Sequence, residues 1–219
     1  MAASHTRRWP ARLDRAVAHL RDADPRLRTL IDEVGELGER SGRRGVQPHD
    51  YYGALVRAII GQQLSSKVAR VMVGRLWDRF GGRPPTPAEV LAEDPEELRA
   101  AVGLSRAKVA FLRSLAEHVT TGELDLERLS AEPDERVTAE LVAVKGIGEW
   151  TADMFLIFQL DRPDVLPVGD LGIRAAFRRL YDLPELPSAA AMERIAEPWR
   201  PYRSTASRFL WRSLDNEPA

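Results

Sequence analysis

The chain has 219 residues, 44% of them hydrophobic and 30% charged, and a formal net charge of −1. This length can form one domain or two small lobes around a real hydrophobic core. The absence of cysteine excludes disulfides, a cysteine nucleophile and a cysteine-ligated iron–sulfur cluster. No apolar run is long enough to cross a membrane, and the N-terminus lacks the apolar core of a secretory signal, so we expect a cytoplasmic protein.

Apolar residues recur at helical spacing along the whole chain and nowhere alternate convincingly as in a strand. The N-terminal part predicts short helices at residues 13–20 and 25–37 and then a loop at 41–48. The central part predicts helices at 51–60, 65–80, 94–102 and 105–120, with a glycine- and proline-rich break at 81–87. The C-terminal part predicts helices at 135–144, 149–160, 170–181, 188–202 and 204–214. The pattern therefore predicts an all-α fold of two lobes.

The charge is unevenly distributed. Residues 91–141 hold twelve acidic and six basic side chains, a local charge of −6, so the rest of the chain carries +5 against the total of −1. Basic side chains cluster in the C-terminal part, at Arg174, Arg178, Arg179, Arg200, Arg203, Arg208 and Arg212. Arginine binds phosphate well, although most charges on helices are simply solvated. These arginines are therefore interpreted either as a basic strip or as solvated helix faces.

A glycine turn joins two of the predicted helices. Gly146 and Gly148 flank Ile147 there. Glycine permits a positive φ and a close approach of another backbone, so we expect both glycines to hold conformations that are costly for other residues. The turn opens directly into a helix, and the unpaired amides and positive dipole end of a helix N-terminus suit a phosphate. A plain helix–helix turn is the alternative, since glycine is common in such turns.

A lone carboxylate follows about twenty residues later, at Asp170 in a Pro-Val-Gly-Asp turn. Apolar residues at Ile173, Phe177 and Leu180 follow it at helical spacing, so Asp170 can be the N-cap of a helix. Capping and catalysis are compatible roles for one carboxylate. A phosphate-binding turn followed by a carboxylate indicates an enzyme that binds DNA and catalyses a reaction on it.

These residues resemble the signature of the helix-hairpin-helix (HhH-GPD) DNA glycosylase superfamily and, within it, the 3-methyladenine DNA glycosylase II group. The matching segments are residues 54–65 (ALVRAIIGQQLS), 144–152 (VKGIGEWTA) with 167–172 (PVGDLG), and 198–204 (PWRPYRS). The hairpin and the aspartate occur in order at the separation that is typical of the superfamily. A lone Gly-Ile-Gly would be a weak indication.

The resemblance implies a fold with DNA in a cleft between two lobes. Residues 51–140 would form a central helical lobe, and the helices of residues 1–50 would pack with the C-terminal lobe. Residues 141–219 would carry the hairpin, the catalytic aspartate and the C-terminal helices. Larger members have an additional mixed α/β domain at the N-terminus, for which this chain has too few leading residues.

The resemblance also implies the reaction, which is hydrolysis of the N-glycosidic bond of alkylated bases of the 3-methyladenine and 7-methylguanine class during base excision repair. Asp170 would stabilise the positive charge that develops on the sugar and would orient or deprotonate the attacking water. Bifunctional relatives form a Schiff base through a lysine at the hairpin position that Trp150 occupies here. We do not expect Lys145, which precedes the first glycine, to reach the sugar. The enzyme would therefore be monofunctional and would need no cofactor or catalytic metal.

The damaged base must leave the duplex before the bond can be reached. Gly146, Gly148 and Thr151 would grip the DNA backbone during this base flipping. Gln63 or Leu64 would fill the gap that the base leaves. Leu64 can equally be an ordinary core residue because it lies at a helix junction.

Trp150 and Met154 are the residues that the resemblance assigns to the base pocket. An aromatic face suits a cationic alkylated base, although core packing is the alternative for a tryptophan. Arg208 stands where a further pocket aromatic can occur. The resemblance also implies a structural Na⁺ or K⁺ on the main-chain carbonyls of Val142, Val144 and Gly146.

The expected partner is double-stranded DNA that contains damaged bases, and the protein is expected to be a monomer. Two alternatives stay open at this stage. One is a glycosylase for deaminated or mismatched bases, although the missing cysteines disfavour the iron–sulfur adenine glycosylases. The other is a non-catalytic helix-hairpin-helix DNA-binding protein, which would have no use for Asp170.

Overall fold

The computed structural model describes residues 8–37 and 50–214, and among these it has helices and turns but no strand. The helices in chain order are α1 (Arg8–Ala23), α2 (Pro25–Val34), α3 (Tyr51–Gly61), α4 (Ser66–Arg79), α5 (Pro87–Ala92), α6 (Pro95–Val102), α7 (Arg106–Thr121), α8 (Asp134–Val142), α9 (Glu149–Phe158), α10 (Leu171–Leu180), α11 (Ala189–Ala196) and α12 (Arg203–Ser213). The predicted all-α class is confirmed. The loop predicted at 41–48 lies outside the described residues.

The chain forms two compact units. The first unit combines Met1–Arg43 with Asp161–Ala219, and the second unit is Arg44–Leu160. The sequence placed the hairpin with the C-terminal helices, whereas the structure places it in the second unit. The reason is packing: α9 contacts both α8 and α3, and the rings of Tyr51 and Phe155 meet edge to face at 5.6 Å.

The second unit is built around α7, which packs against α3, α5 and α6. Leu76, Val90, Leu98, Leu112 and Leu115 are fully buried in its core. Local signals delimit its helices, because Ser65, Thr86, Asp94 and Ser105 each accept a backbone amide hydrogen bond at an N-cap. Such caps satisfy amides that a helix leaves unpaired.

In the first unit, α2 packs against α10 and α12, and α12 also packs against α1. The buried Asp24 caps α2 through the amides of Arg26 and Leu27, and it accepts hydrogen bonds from Tyr181 Oη and Trp199 Nε1. Burial opposes ionisation of Asp24, but these four hydrogen bonds outweigh it and lower the pKa of the carboxyl. The network fixes α2 to the C-terminal part of the same unit.

Proline explains one difference from the predicted helices. The sequence predicted a single helix over 188–202, but α11 ends at Ala196 and a short 3₁₀ turn follows at Glu197–Trp199. Pro198 and Pro201 lack the amide that would continue an α-helix. Within the described parts of the chain, no helix is both long and apolar enough to span a bilayer.

Candidate functional site

The glycine hairpin lies between α8 and α9. The Ile147 amide donates to the Val144 carbonyl at 3.0 Å, and the Ile147 side chain is buried. Gly148 is the N-cap of α9 and offers no side-chain cap. Gly148, Glu149 and Trp150 are all exposed. The buried Ile147 side chain therefore anchors the hairpin in the core, and the start of α9 is exposed to solvent.

The two glycines have different roles. Gly146 has φ +92°, and a Cβ there would lie 2.1 Å from Cγ of Phe111. Gly148 has φ −107° and ψ 174°, a conformation open to any residue, and apart from its two chain neighbours no described residue has an atom within 4 Å of a Cβ built on it. The expectation that both glycines hold costly conformations is right for Gly146 and wrong for Gly148. At Gly148, the lack of a side chain instead leaves the approach to the first amides of α9 open.

Thr151 takes part in the first turn of α9 rather than preceding it. Its amide donates to the Gly148 carbonyl at 2.9 Å, and its side chain is buried. The amides ahead of it, at Glu149 and Trp150, are those for which helix geometry provides no intrahelical acceptor. The outward amides of the hairpin therefore precede Thr151.

The α3–α4 loop, residues 62–65, is the second candidate DNA contact. Gln63 has φ +57°, an uncommon conformation for a residue other than glycine. Leu64 is 36% exposed, so the alternative that it is an ordinary core residue is wrong. Ser65 ends the loop by capping α4. The loop therefore presents Gln63 and Leu64 to solvent.

The α3–α4 loop and the hairpin are in direct contact. Nε2 of Gln62 donates to the carbonyl oxygen of Gly146 at 2.8 Å, across a separation of 84 residues in the sequence. The structure thus brings together two segments that the sequence could only assign to DNA separately.

Trp150 and Met154 are one turn apart on α9, so their side chains leave the same face of the helix. Trp150 is 40% exposed, which contradicts core packing, whereas Met154 is 9% exposed. Part of the Trp150 side chain is therefore accessible to solvent. Met154, one turn later, belongs to the buried core.

Asp170 belongs to the first unit, where it caps α10. Its Oδ1 accepts a hydrogen bond from the Ile173 amide at 2.8 Å and another from Nε1 of Trp211 at 3.0 Å. The predicted N-cap role is therefore confirmed. Two donors on one oxygen hold the carboxylate in one orientation.

Sequence reasoning missed Trp211. It is fully buried in α12, 41 residues after Asp170. A buried indole N–H usually finds an acceptor, and this was the available signal. Nothing local to either residue indicates which carboxylate the indole reaches.

The face of α12 that carries Trp211 is polar and buried. Arg208, three residues earlier, is only 4% exposed, and Ser204 and Ser207 are buried as well. The Ser204 hydroxyl accepts the Val165 amide at 2.9 Å, which ties α12 to the segment that leads to Asp170. Arg208, at the position where a pocket aromatic can occur, is a buried guanidinium rather than a surface charge.

The candidate ion ligands are carbonyl oxygens of the hairpin. The Gly146 carbonyl accepts from Gln62, and the Val144 carbonyl accepts from Ile147. Each carbonyl has a second lone pair, and oxygen donors suit a hard cation. In residues 8–37 and 50–214, no three His, Cys, Asp or Glu side chains group as a metal site would require.

Comparison with known proteins gives consistent results. The family described as HhH-GPD superfamily base excision DNA repair protein matches residues 56–201. The chain is 35% identical to DNA-3-methyladenine glycosylase 1 of Schizosaccharomyces pombe over 92% of this chain and 87% of that protein.

Solved structures show the same similarity. A structure of S. pombe 3-methyladenine DNA glycosylase (Mag1) in complex with abasic DNA superimposes with a TM-score of 0.80 and 35% identity, covering 90% of this chain and 95% of that one. A DNA-3-methyladenine glycosidase from Bacillus halodurans gives a TM-score of 0.78 and 33% identity, over 92% and 94% of the two chains.

Proposed function

Because the chain belongs to the HhH-GPD superfamily of base excision DNA repair proteins, we propose that it is a monofunctional DNA glycosylase for alkylated bases. The reaction is hydrolysis of the N-glycosidic bond of 3-methyladenine and 7-methylguanine in double-stranded DNA. The observation that carries the proposal is Asp170, a carboxylate whose Oδ1 is held by the Ile173 amide and Trp211. A protein that only grips DNA needs no carboxylate in such a setting.

Asp170 acts on the charge that develops during the reaction. Departure of the base leaves an oxocarbenium-like sugar. A carboxylate that is already oriented stabilises this cation without reorganising and can direct a water molecule to it. A base alkylated on a ring nitrogen is cationic and leaves readily, so this contribution is sufficient without a metal.

The second unit provides the DNA contacts. The amides at the start of α9 bind a phosphate, and the absence of a side chain at Gly148 lets the phosphate approach. Gln63 or Leu64, both exposed in the α3–α4 loop, enters the gap that the flipped base leaves. These contacts are independent of sequence, so they position the DNA rather than select the lesion.

Trp150 provides an aromatic face for the flipped base, with Met154 one turn behind it. A cationic ring is attracted to an indole face, which favours alkylated over neutral bases. The indole also stands where a bifunctional enzyme needs a lysine, so the product is an abasic site in an intact strand. On the hairpin, the carbonyls of Val142, Val144 and Gly146 would hold the structural Na⁺ or K⁺, whose charge would favour the nearby phosphate.

The proposal is tested by base release from oligonucleotides that carry 3-methyladenine, 7-methylguanine, ethenoadenine, hypoxanthine or uracil, assayed in parallel. We expect release of the first two. Release of hypoxanthine or uracil alone would favour an enzyme for deaminated bases, and binding without any release would favour a non-catalytic DNA-binding protein. The monomeric state and the cytoplasmic location stay predictions.

A further inference from the structure

Lys108 joins two segments of the second unit. Its Nζ donates to the carbonyl oxygen of Ile60 at 2.6 Å. Lys108 lies in the first turn of α7, and Ile60 lies in the last turn of α3, just before the α3–α4 loop. The last carbonyls of a helix find no amide donor within that helix. Lys108 supplies a donor to one of them from a different helix.

The position of Lys108 is unfavourable for its own helix. A cation in the first turn of α7 meets the positive end of that helix dipole, whereas the C-terminal end of α3 is negative. Partial burial also opposes the charged ammonium and lowers the pKa of Lys108. The contact with α3, rather than the stability of α7, therefore accounts for a lysine at this position.

The same face of α7 supports the hairpin. Phe111 follows Lys108 by three residues, so their side chains lie on one face of the helix. A Cβ at Gly146 would lie 2.1 Å from Cγ of Phe111, which means that the hairpin backbone rests directly on this ring. Gln62 completes the arrangement through its 2.8 Å hydrogen bond to the Gly146 carbonyl.

From these contacts we propose that Lys108 is a positioning residue for base flipping, which fixes the α3–α4 loop relative to the hairpin. The inference rests on the proposed function, because base flipping is the step that requires the gap-filling loop and the phosphate-binding hairpin to act on the same stretch of DNA. One turn of α7 supports both: Lys108 holds the base of the loop and Phe111 holds the hairpin. Without Lys108, the hairpin would still bind phosphate, but the loop would lose one of the contacts that fix its position and would keep the Gln62 contact to the hairpin.

The test compares Lys108→Met with Arg106→Met. Methionine retains the apolar stem of Lys108 and removes its donor. Arg106 lies in the same turn of α7, is exposed and pairs with Glu96 at 3.1 Å. Its substitution removes one positive charge from the same turn of α7 but does not remove the hydrogen bond to the Ile60 carbonyl. Lys108→Arg retains a donor and serves as the rescue variant.

The first readout requires no catalysis. A duplex carries an abasic-site analogue with 2-aminopurine as the neighbouring base, whose fluorescence reports insertion of the loop. We expect Lys108→Met to raise the dissociation constant measured from this signal about tenfold, as the loss of one charge-assisted hydrogen bond predicts. Arg106→Met should change it less than about twofold, and Lys108→Arg should restore most of the loss. A wild-type constant for Lys108→Met would overturn the proposal.

A second readout separates positioning from a general loss of structure. Binding of Lys108→Met to an undamaged duplex, which needs only the phosphate grip, should stay within about twofold of wild type. An equal loss on both duplexes would show a merely structural role and overturn the proposal. Failure of the proposed function has a different signature, because the wild-type protein would then release no alkylated base while the fluorescence comparison still decides the role of Lys108.

Discussion

Trp211 donates its indole N–H to Oδ1 of Asp170 at 3.0 Å, the oxygen that also accepts the Ile173 amide. One carboxylate oxygen thus caps the N-terminus of α10 and also accepts a hydrogen bond from a buried side chain of α12. The orientation of Asp170 therefore depends on a residue that lies far from it in the sequence. This relationship can be separated experimentally from the stability of the first unit.

Trp211→Phe should slow single-turnover base excision roughly tenfold, since it removes a hydrogen bond that orients Asp170. Trp199→Phe is the matched control. Trp199 is equally buried in the same unit, but its indole donates to Asp24 at 3.1 Å. We expect both variants to lower the melting temperature and only Trp211→Phe to lower the excision rate, measured on 7-methylguanine. Equal rates for the two variants would argue against the orienting role.

Asp170→Asn should abolish base excision while largely preserving folding and DNA binding. Asparagine can still accept the Ile173 amide and cap α10, so the free energy of unfolding should change by less than about 1 kcal/mol. It lacks the negative charge that stabilises the developing cation. Excision rates, thermal unfolding and binding to an abasic-site analogue are the three measurements. Excision at the wild-type rate would refute the catalytic assignment.

The two hairpin glycines should respond differently to alanine. Gly146→Ala should destabilise the protein by about 1–3 kcal/mol or more, because φ is positive and the new methyl group would meet Phe111. Gly148→Ala should change stability by no more than about 0.5 kcal/mol. Thermal melts would measure both effects.

Gly148→Val extends this comparison from stability to binding. The β-branched side chain would obstruct the approach of a phosphate to the first amides of α9, so binding to damaged and undamaged duplexes should weaken alike. A Gly148→Val protein that folds normally and binds an abasic-site analogue as tightly as wild type would exclude the hairpin as the DNA anchor.

The protein should have no lyase activity, because Trp150 occupies the hairpin position of the Schiff-base lysine. Borohydride reduction during turnover should trap no covalent protein–DNA product on denaturing electrophoresis. Should such a product form, Lys145→Met would show whether the lysine before Gly146 is responsible.

Asp24 should contribute stability that depends on pH. Although burial opposes its ionisation, its hydrogen bonds from Tyr181, Trp199 and two backbone amides lower its folded-state pKa below the ordinary aspartate value, so the unfolded chain binds more protons just below that ordinary value. The contribution is therefore complete above the unfolded pKa and is lost as pH falls through the folded one. Asp24→Asn should be clearly less stable than wild type at pH 7, and the difference should shrink below about pH 4. A difference that stays constant between these pH values would contradict this account.

Local signals in the sequence were sufficient for most of the helices, although not for the end of α11 at Ala196, and nonlocal contacts were not accessible to the same reasoning. Asp170 could be predicted as an N-cap because Ile173 and Phe177 follow it at helical spacing. The hydrogen bond that Trp211 donates to Asp170 could not be predicted, since no periodicity in the sequence relates α10 to α12. The different conformations of Gly146 and Gly148 depend on where Phe111 of α7 lies. The placement of the hairpin in the second unit likewise depends on the packing of α9 against α3.

The open space at Gly148 makes this position suitable for a spectroscopic label. The chain contains no cysteine, so Gly148→Cys would carry its single thiol, at a place where residues 8–37 and 50–214, the two chain neighbours apart, have no atom within 4 Å of the new Cβ. A small trifluoromethyl tag attached there would give one fluorine resonance. Its chemical shift would distinguish the free protein from the DNA-bound protein and would follow the search for damage without a modified substrate.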